Sequence, residues 1–175
     1  MVDPQLVGQC TDYAASKLEE HLAQIERCAA LLSDDQVWYR PNESSNSIGN
    51  LLLHLRGNVM QWIVAGLDAQ PFERDRPAEF TQRKPIPAKT LMDGLRAAVR
   101  AATEVIRRLD AAALGRDYRI QNYAVSGTAA VLHVVEHFAF HTGQIITTTK
   151  WLLDVDLSLY DEQGHRGDGR NQGTP

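Results

Sequence analysis

The chain has 175 residues, enough for one domain with a sizeable core, and its 43% hydrophobic and 23% charged content is ordinary for a globular fold. A net charge of -4 supplies no electrostatic footprint for nucleic acid or an anionic membrane. The start, MVDPQLVGQC, has neither the basic nor the apolar region of a signal peptide, and no apolar run is long enough to span a bilayer, so the sequence reads as cytoplasmic.

A first helix is predicted from Pro4 to Leu32, with Asp3 as N-cap and Pro4 in the first helical position. Its apolar stripe is Leu6, Cys10, Tyr13, Leu18, Leu22, Ile25 and Leu32. The two cysteines, Cys10 and Cys28, both fall on it. At about 1.5 Å per residue they are about 27 Å apart, too far for a disulfide. They form no C-x-x-C pattern and read as small buried apolar residues.

After the turn-rich SDDQVWYRPNESS, a second helix starts near Asn46 or Ser47 and runs to about Leu67. The Pro-containing stretch PFERDRPAEFTQRKPIPA leads to a third helix between Lys89 and Leu109. DYRIQNYAV has β-leaning residues that suit one extended segment rather than a sheet. A fourth helix is predicted from Ser126 to Leu153. Residues 1–162 read as one domain, and the Gly-rich polar tail 163–175 as flexible. Four helices in one domain point to an all-α helix bundle.

The fourth helix carries HVVEHFAFHTGQI, with His133, His137 and His141 each four residues from the next. Four residues advance a helix by about 400°, so neighbouring members of the series lie one turn apart on one face. Two imidazoles at that spacing can grip one metal ion. All three cannot, because His133 and His141 are about 12 Å apart along the axis and ligand bonds are about 2 Å long. The pair is therefore His133 with His137, or His137 with His141, and a third ligand must come from another helix. His165 lies in the tail and His21 has a charged flank. His54 is better placed, on a face of small and polar residues with Asn50, Gly57, Asn58, Gln61 and Ala65. The glycine and alanine admit a close neighbour, and the amides can orient ligands from behind. Three stacked imidazoles with nothing to coordinate would make a costly core.

Gln144 follows His141 by about one turn and suits a supporting hydrogen bond. Glu136 lies about 100° from His137 and Arg56 about 160° from His54 round their helices, so neither faces the ion. No Glu-x-x-His pair occurs on the second or fourth helix, which rules against a di-iron site of the ferritin kind. Trp62, Tyr123 and Phe140 are candidates for shaping a substrate pocket.

The segments SNSIGNLLLHLRGNVMQWI and HVVEHFAFHTGQI resemble the DinB-like superfamily of metal-binding four-helix proteins, and the resemblance extends to about Tyr160. Relatives there include bacillithiol S-transferases and mycothiol-dependent maleylpyruvate isomerases. The resemblance implies an up-down-down-up four-helix bundle, often dimeric, and a metal triad of His54, His137 and His141. His133 then falls in the pocket wall. Thr142 stands where the family often has arginine, so a role tied to that arginine has no carrier here.

Three neutral imidazoles leave open positions on an ion, the mark of a catalytic rather than a structural site. All-nitrogen ligation suits zinc, nickel or iron. Such an ion could stabilise the thiolate of a low-molecular-weight thiol, the transferase chemistry the resemblance implies, or activate water for hydrolysis. The competing reading is a non-enzymatic bundle that binds a metal or small ligand. Helices two and four are apolar on the face opposite their histidines as well, which suits either full burial or a homodimer contact.

Overall fold

The computed structural model describes residues 3–165 and is mostly helical. Helix α1 spans Pro4–Ala29, α2 Asp34–Val37, α3 Ile48–Val59, α4 Arg76–Thr81, α5 Ala88–Arg107, α6 Ala111–Gly115 and α7 Gly127–Leu153. A π-helical turn, Met60–Ala65, continues α3. Side chains close the helix starts as the sequence suggests. Asp3 Oδ1 accepts from Gln5 N–H at 2.9 Å ahead of Pro4. At α3, Ser47 Oγ accepts from Asn50 N–H while Asn50 Oδ1 accepts from Ser47 N–H, a reciprocal capping box. Ser126 Oγ accepts from Ala129 N–H to start α7, and α7 stops at Asp154, which adopts the left-handed conformation.

The long helices enclose one core. Helix α1 packs on α5 and α7, and α3 packs on the same two. Leu18, Ile25, Leu52, Leu55, Ile63, Leu95, Ile106, Phe138 and Ile145 are fully buried within it. Among the described residues no helix is long and apolar enough to cross a membrane.

The structure departs from the sequence expectations in several places. The buried stripe of α1 is Val7, Thr11, Ala14, Ala15, Leu18, Ile25 and Cys28. It lies one residue round from the predicted one in the first half of the helix. Thr11 is tolerated there because its hydroxyl donates back to Val7 and Gly8 carbonyls. Leu6, Cys10 and Tyr13 are consequently exposed, so the burial expected for both cysteines holds only for Cys28.

DYRIQNYAV is also more than one extended segment. Strand β1, Asp117–Ile120, pairs antiparallel with β2, Tyr123–Ser126, with Ile120 opposite Tyr123. Gln121 makes the turn at φ 55°, a conformation that gave no glycine or Asn-Gly signal to read. Most of the tail 163–175 lies outside the described residues.

Candidate metal centre

Two elements bring the three histidines together. His54 projects from the middle of α3, and His137 and His141 from successive turns of α7. One ligand atom from each lies within 4.8 Å of the others. His54 Nε2 and His137 Nε2 are 2.8 Å apart. The ring centroids of His54 and His141 are separated by 5.1 Å and those of His137 and His141 by 4.5 Å, in each case edge to face.

The protonation of each ring follows from its partners. His54 Nδ1 is 2.9 Å from Glu79 Oε2. A carboxylate can only accept, so Nδ1 carries the proton and the Nε2 lone pair points at the cluster. Arg74 Nη2 also lies 3.1 Å from Nδ1, and it donates instead to Glu79 Oε2 at 2.8 Å. His141 Nδ1 in the same way donates to Gln144 Oε1 at 2.7 Å, leaving its Nε2 lone pair free.

Burial drives the electrostatics of the cluster. Desolvation, aided by the neighbouring His141, His54, His133 and Arg74, pushes His137 down to about 3. Desolvation also lowers His141 and His133, opposed by the Gln144 hydrogen bond in the first and by the Glu136 charge in the second. Burial would raise the Glu79 carboxyl, but hydrogen bonds from His54 and Arg74 outweigh it and hold the group below the usual carboxylate range. Near neutrality the centre therefore presents unprotonated His137 and His141 beside His54, whose Nδ1 is held by the ionised Glu79 carboxylate. That donor set fits a divalent transition ion, whose nitrogen ligand bonds are about 2 Å long.

Glu79 is the part of the site that the sequence did not disclose. It sits on the short helix α4, which Asn50 Nδ2 anchors by donating to the Glu79 carbonyl at 2.8 Å. Arg74 locks the carboxylate from the other side, with Nε donating to Oε1 at 2.6 Å. Gly57 is what admits the close neighbour expected at that position, and the neighbour is this pair. A Cβ there would lie 2.0 Å from Glu79 Oε1 and 2.8 Å from Arg74 Nε.

The remaining candidates divide. Gln61 Oε1 accepts from Arg74 Nη1 at 2.8 Å and from Gln121 Nε2 at 2.5 Å, so it holds the arginine rather than a histidine. Asn58 is buried, and among the described residues its Oδ1 has no hydrogen-bond partner, in the triad or elsewhere. The His133 ring lies 4.2 Å from Trp62 and 5.5 Å from His137, centroid to centroid. Glu136 and Arg56 are exposed on other faces, as their helical angles require. His21 stacks near Phe138 and His165 pairs with Asp161, both outside the cluster.

Two cavities lie in this region, the first lined by His54 and His137 and the second by Gln144 but by no member of the triad. One of about 500 Å³ is lined by His54, His133, His137, Asn58, Trp62 and Tyr123 among others. The other, about 750 Å³, reaches Gln144, Phe140, Trp151 and Asn46. Trp62 and Tyr123 thus belong to one pocket and Phe140 to another.

Fold and histidine cluster together define the DinB-like class. Three solved structures share the fold. A DinB-like protein from Bacillus cereus is 17% identical, with a TM-score of 0.59 over 78% of this chain and 85% of that one. A conserved protein from Enterococcus faecalis is 18% identical, with a TM-score of 0.61 over 89% and 99%. A DinB-like protein from Bacillus subtilis is 17% identical, with a TM-score of 0.63 over 88% and 99%. No curated protein matches the chain in sequence. Residues 15–147 match the mycothiol S-transferase family, and the chain belongs to that family within the DinB-like superfamily.

Proposed function

We propose that the protein is a metal-dependent thiol S-transferase in which His54, His137 and His141 hold one divalent transition ion. The carrying observation is the convergence of three imidazoles beside a cavity that can seat a small molecule. Zinc, nickel or iron suits this all-nitrogen set. When bound, the ion supplies a Lewis acid that favours the thiolate of a low-molecular-weight thiol such as mycothiol.

The chain's own residues prepare that chemistry. Glu79 fixes the tautomer and orientation of His54, Arg74 fixes Glu79, and Gln144 does for His141 what Glu79 does for His54. Burial keeps His137 unprotonated and ready to ligate at neutral pH. In the reaction the thiol S–H is lost, a carbon–sulfur bond forms at an electrophilic carbon, and the leaving group departs with its bonding pair. His133, held neutral by burial and lining the same cavity, is placed to take the thiol proton.

The bundle reading extends this proposal: residues 1–162 make one domain whose long helices run up-down-down-up, and the protein works in the cytoplasm. A homodimer fits the apolar groove between α1 and α7, where Leu6, Tyr13 and Leu132 are exposed around a cavity of about 340 Å³. The decisive experiment is metal analysis of natively purified wild-type and His137→Ala protein, with thiol-transfer assays using mycothiol and a set of electrophiles. One equivalent of metal and measurable transfer in the wild type, both lost in a folded His137→Ala variant, is the expected result. Wild-type protein that carries no transition metal under several growth conditions sinks the proposal.

A further inference from the structure

Two residues that line the cavity beside the triad carry buried polar atoms that the fold leaves unanswered. Asn58 Oδ1 and Trp62 Nε1 are both buried and, among the described residues, neither has a hydrogen-bond partner. Their residues are 4% and 5% exposed and both line this cavity. They stand four positions apart where α3 passes into its π-helical turn, so they share one wall. The Trp62 ring is held between His133, at 4.2 Å, and Tyr123, at 6.2 Å, which fixes its position in that wall.

Leaving a buried donor or acceptor unpaired is costly, and a fold keeps such groups where something else satisfies them. Here one orphan is an obligate donor, the indole N–H, and the other is an acceptor, the carboxamide oxygen. A group that offers an acceptor and a donor side by side answers both, and the secondary amide is the simplest such group in small metabolites. The rim of the cavity is basic as well. Arg74 is committed to Glu79, whereas Arg76 lines the cavity, is exposed and has no carboxylate partner among the described residues.

We infer that Trp62 and Asn58 form a recognition site for a secondary amide on the ligand, with a carboxylate or other anionic end of the same molecule directed to Arg76. The inference places the amide in the cavity that the proposed thiol chemistry uses, but the recognition itself needs no metal. The two readings can therefore fail separately.

The test uses metal-free full-length protein and N-acetylglycine, which carries an amide and a carboxylate and no thiol, with butyrate as the amide-free comparison. The readout is the ¹⁵N-labelled indole N–H resonance of Trp62, distinguished from those of Trp38 and Trp151 by its absence in Trp62→Phe. N-acetylglycine is expected to shift that resonance downfield saturably and to bind at least about 10-fold more tightly than butyrate, a difference of about 1.4 kcal/mol. Isothermal titration calorimetry of the variants, which needs no indole signal, should show that Asn58→Leu and Trp62→Phe each abolish that preference while leaving butyrate binding unchanged. Equal binding of the two probes overturns the inference, as does a Trp62 resonance that stays still at saturation. A preference that survives both substitutions overturns it too. None of these outcomes depends on whether the histidines take up metal, which a parallel zinc titration reads independently.

Discussion

Glu79 reaches His54 Nδ1 at 2.9 Å through space that exists because residue 57 is a glycine one turn away on the same helix. The carboxylate and the glycine are 22 positions apart, yet neither arrangement is possible without the other. A methyl group at position 57 would overlap Oε1 at 2.0 Å.

Gly57→Ala is therefore expected to act on the metal centre without touching a ligand. Helix propensity alone favours alanine by about 1 kcal/mol. Overlap with a buried, doubly held carboxylate costs about 1–3 kcal/mol, so the net change is destabilising. The larger effect falls on affinity, because a displaced Glu79 no longer orients His54, and loss of such support weakens metal binding about 10–100-fold. Isothermal titration with zinc, alongside thermal melting, checks both. Unchanged affinity would show that Glu79 does not support the ligand.

Glu79→Gln separates charge from shape. The amide oxygen can still accept from His54 Nδ1–H, but Arg74, 3% exposed at its side chain, loses its only carboxylate among the described residues. Removing one partner of a buried pair costs about 3–5 kcal/mol. The variant should thus lose more stability than Gly57→Ala, measured by urea denaturation of metal-free protein. A second change, Arg74→Met, should restore part of that loss, because an uncompensated charge is then no longer buried.

How far the site was legible follows from the same residues. The cluster was legible in part: i, i+4 spacing on a long helix left His133 with His137, or His137 with His141, as the pair, His54 stood out for its small, polar neighbours, and resemblance to the DinB-like superfamily singled out His137 and His141. Caps at Asp3, Ser47 and Ser126 marked helix starts because their oxygens answer backbone N–H groups locally. Glu79 left no such trace. It lies in a Pro-rich connection without periodicity, and only the fold-back of α4, tied by Asn50, brings it to His54. The hairpin was missed for a related reason, since Gln121 takes its positive φ without the glycine that usually announces it. The phase of α1 was misjudged because Thr11 hides a polar side chain by bonding its own helix.

Acidification should destabilise the metal-free protein. His137 titrates at about 3 in the folded chain against an ordinary 6.5, so between those values the unfolded chain binds a proton the folded chain refuses. Stability is then fully present above pH 6.5 and falls as pH drops toward 3. The slope from one such group is at most about 1.4 kcal/mol per pH unit, and less here because the ring is only half-buried and water screens it. His141 and His133 are shifted the same way and add to it. Urea midpoints at pH 7 and pH 5 measure the effect, and His137→Gln should flatten it.

The two thiols provide a probe of the groove between α1 and α7. Burial raises the Cys28 thiol, with only partial relief from Thr149 and Arg27, whereas Cys10 is exposed and lines the groove beside Leu6 and Tyr13. Reactivity follows thiolate fraction and access, so iodoacetamide at mildly alkaline pH should label Cys10 faster than Cys28 by about 100-fold or more. Cys28 should react only when the core opens, and urea should abolish the difference between them. If a second copy of the chain covers the groove, Cys10 labelling will slow as protein concentration rises, while a Leu132→Glu variant, charged on the same surface, labels at one rate throughout. Mass spectrometry of the digested peptides resolves the two sites, and a Cys10 rate independent of concentration in the wild type would remove the homodimer from consideration at this face.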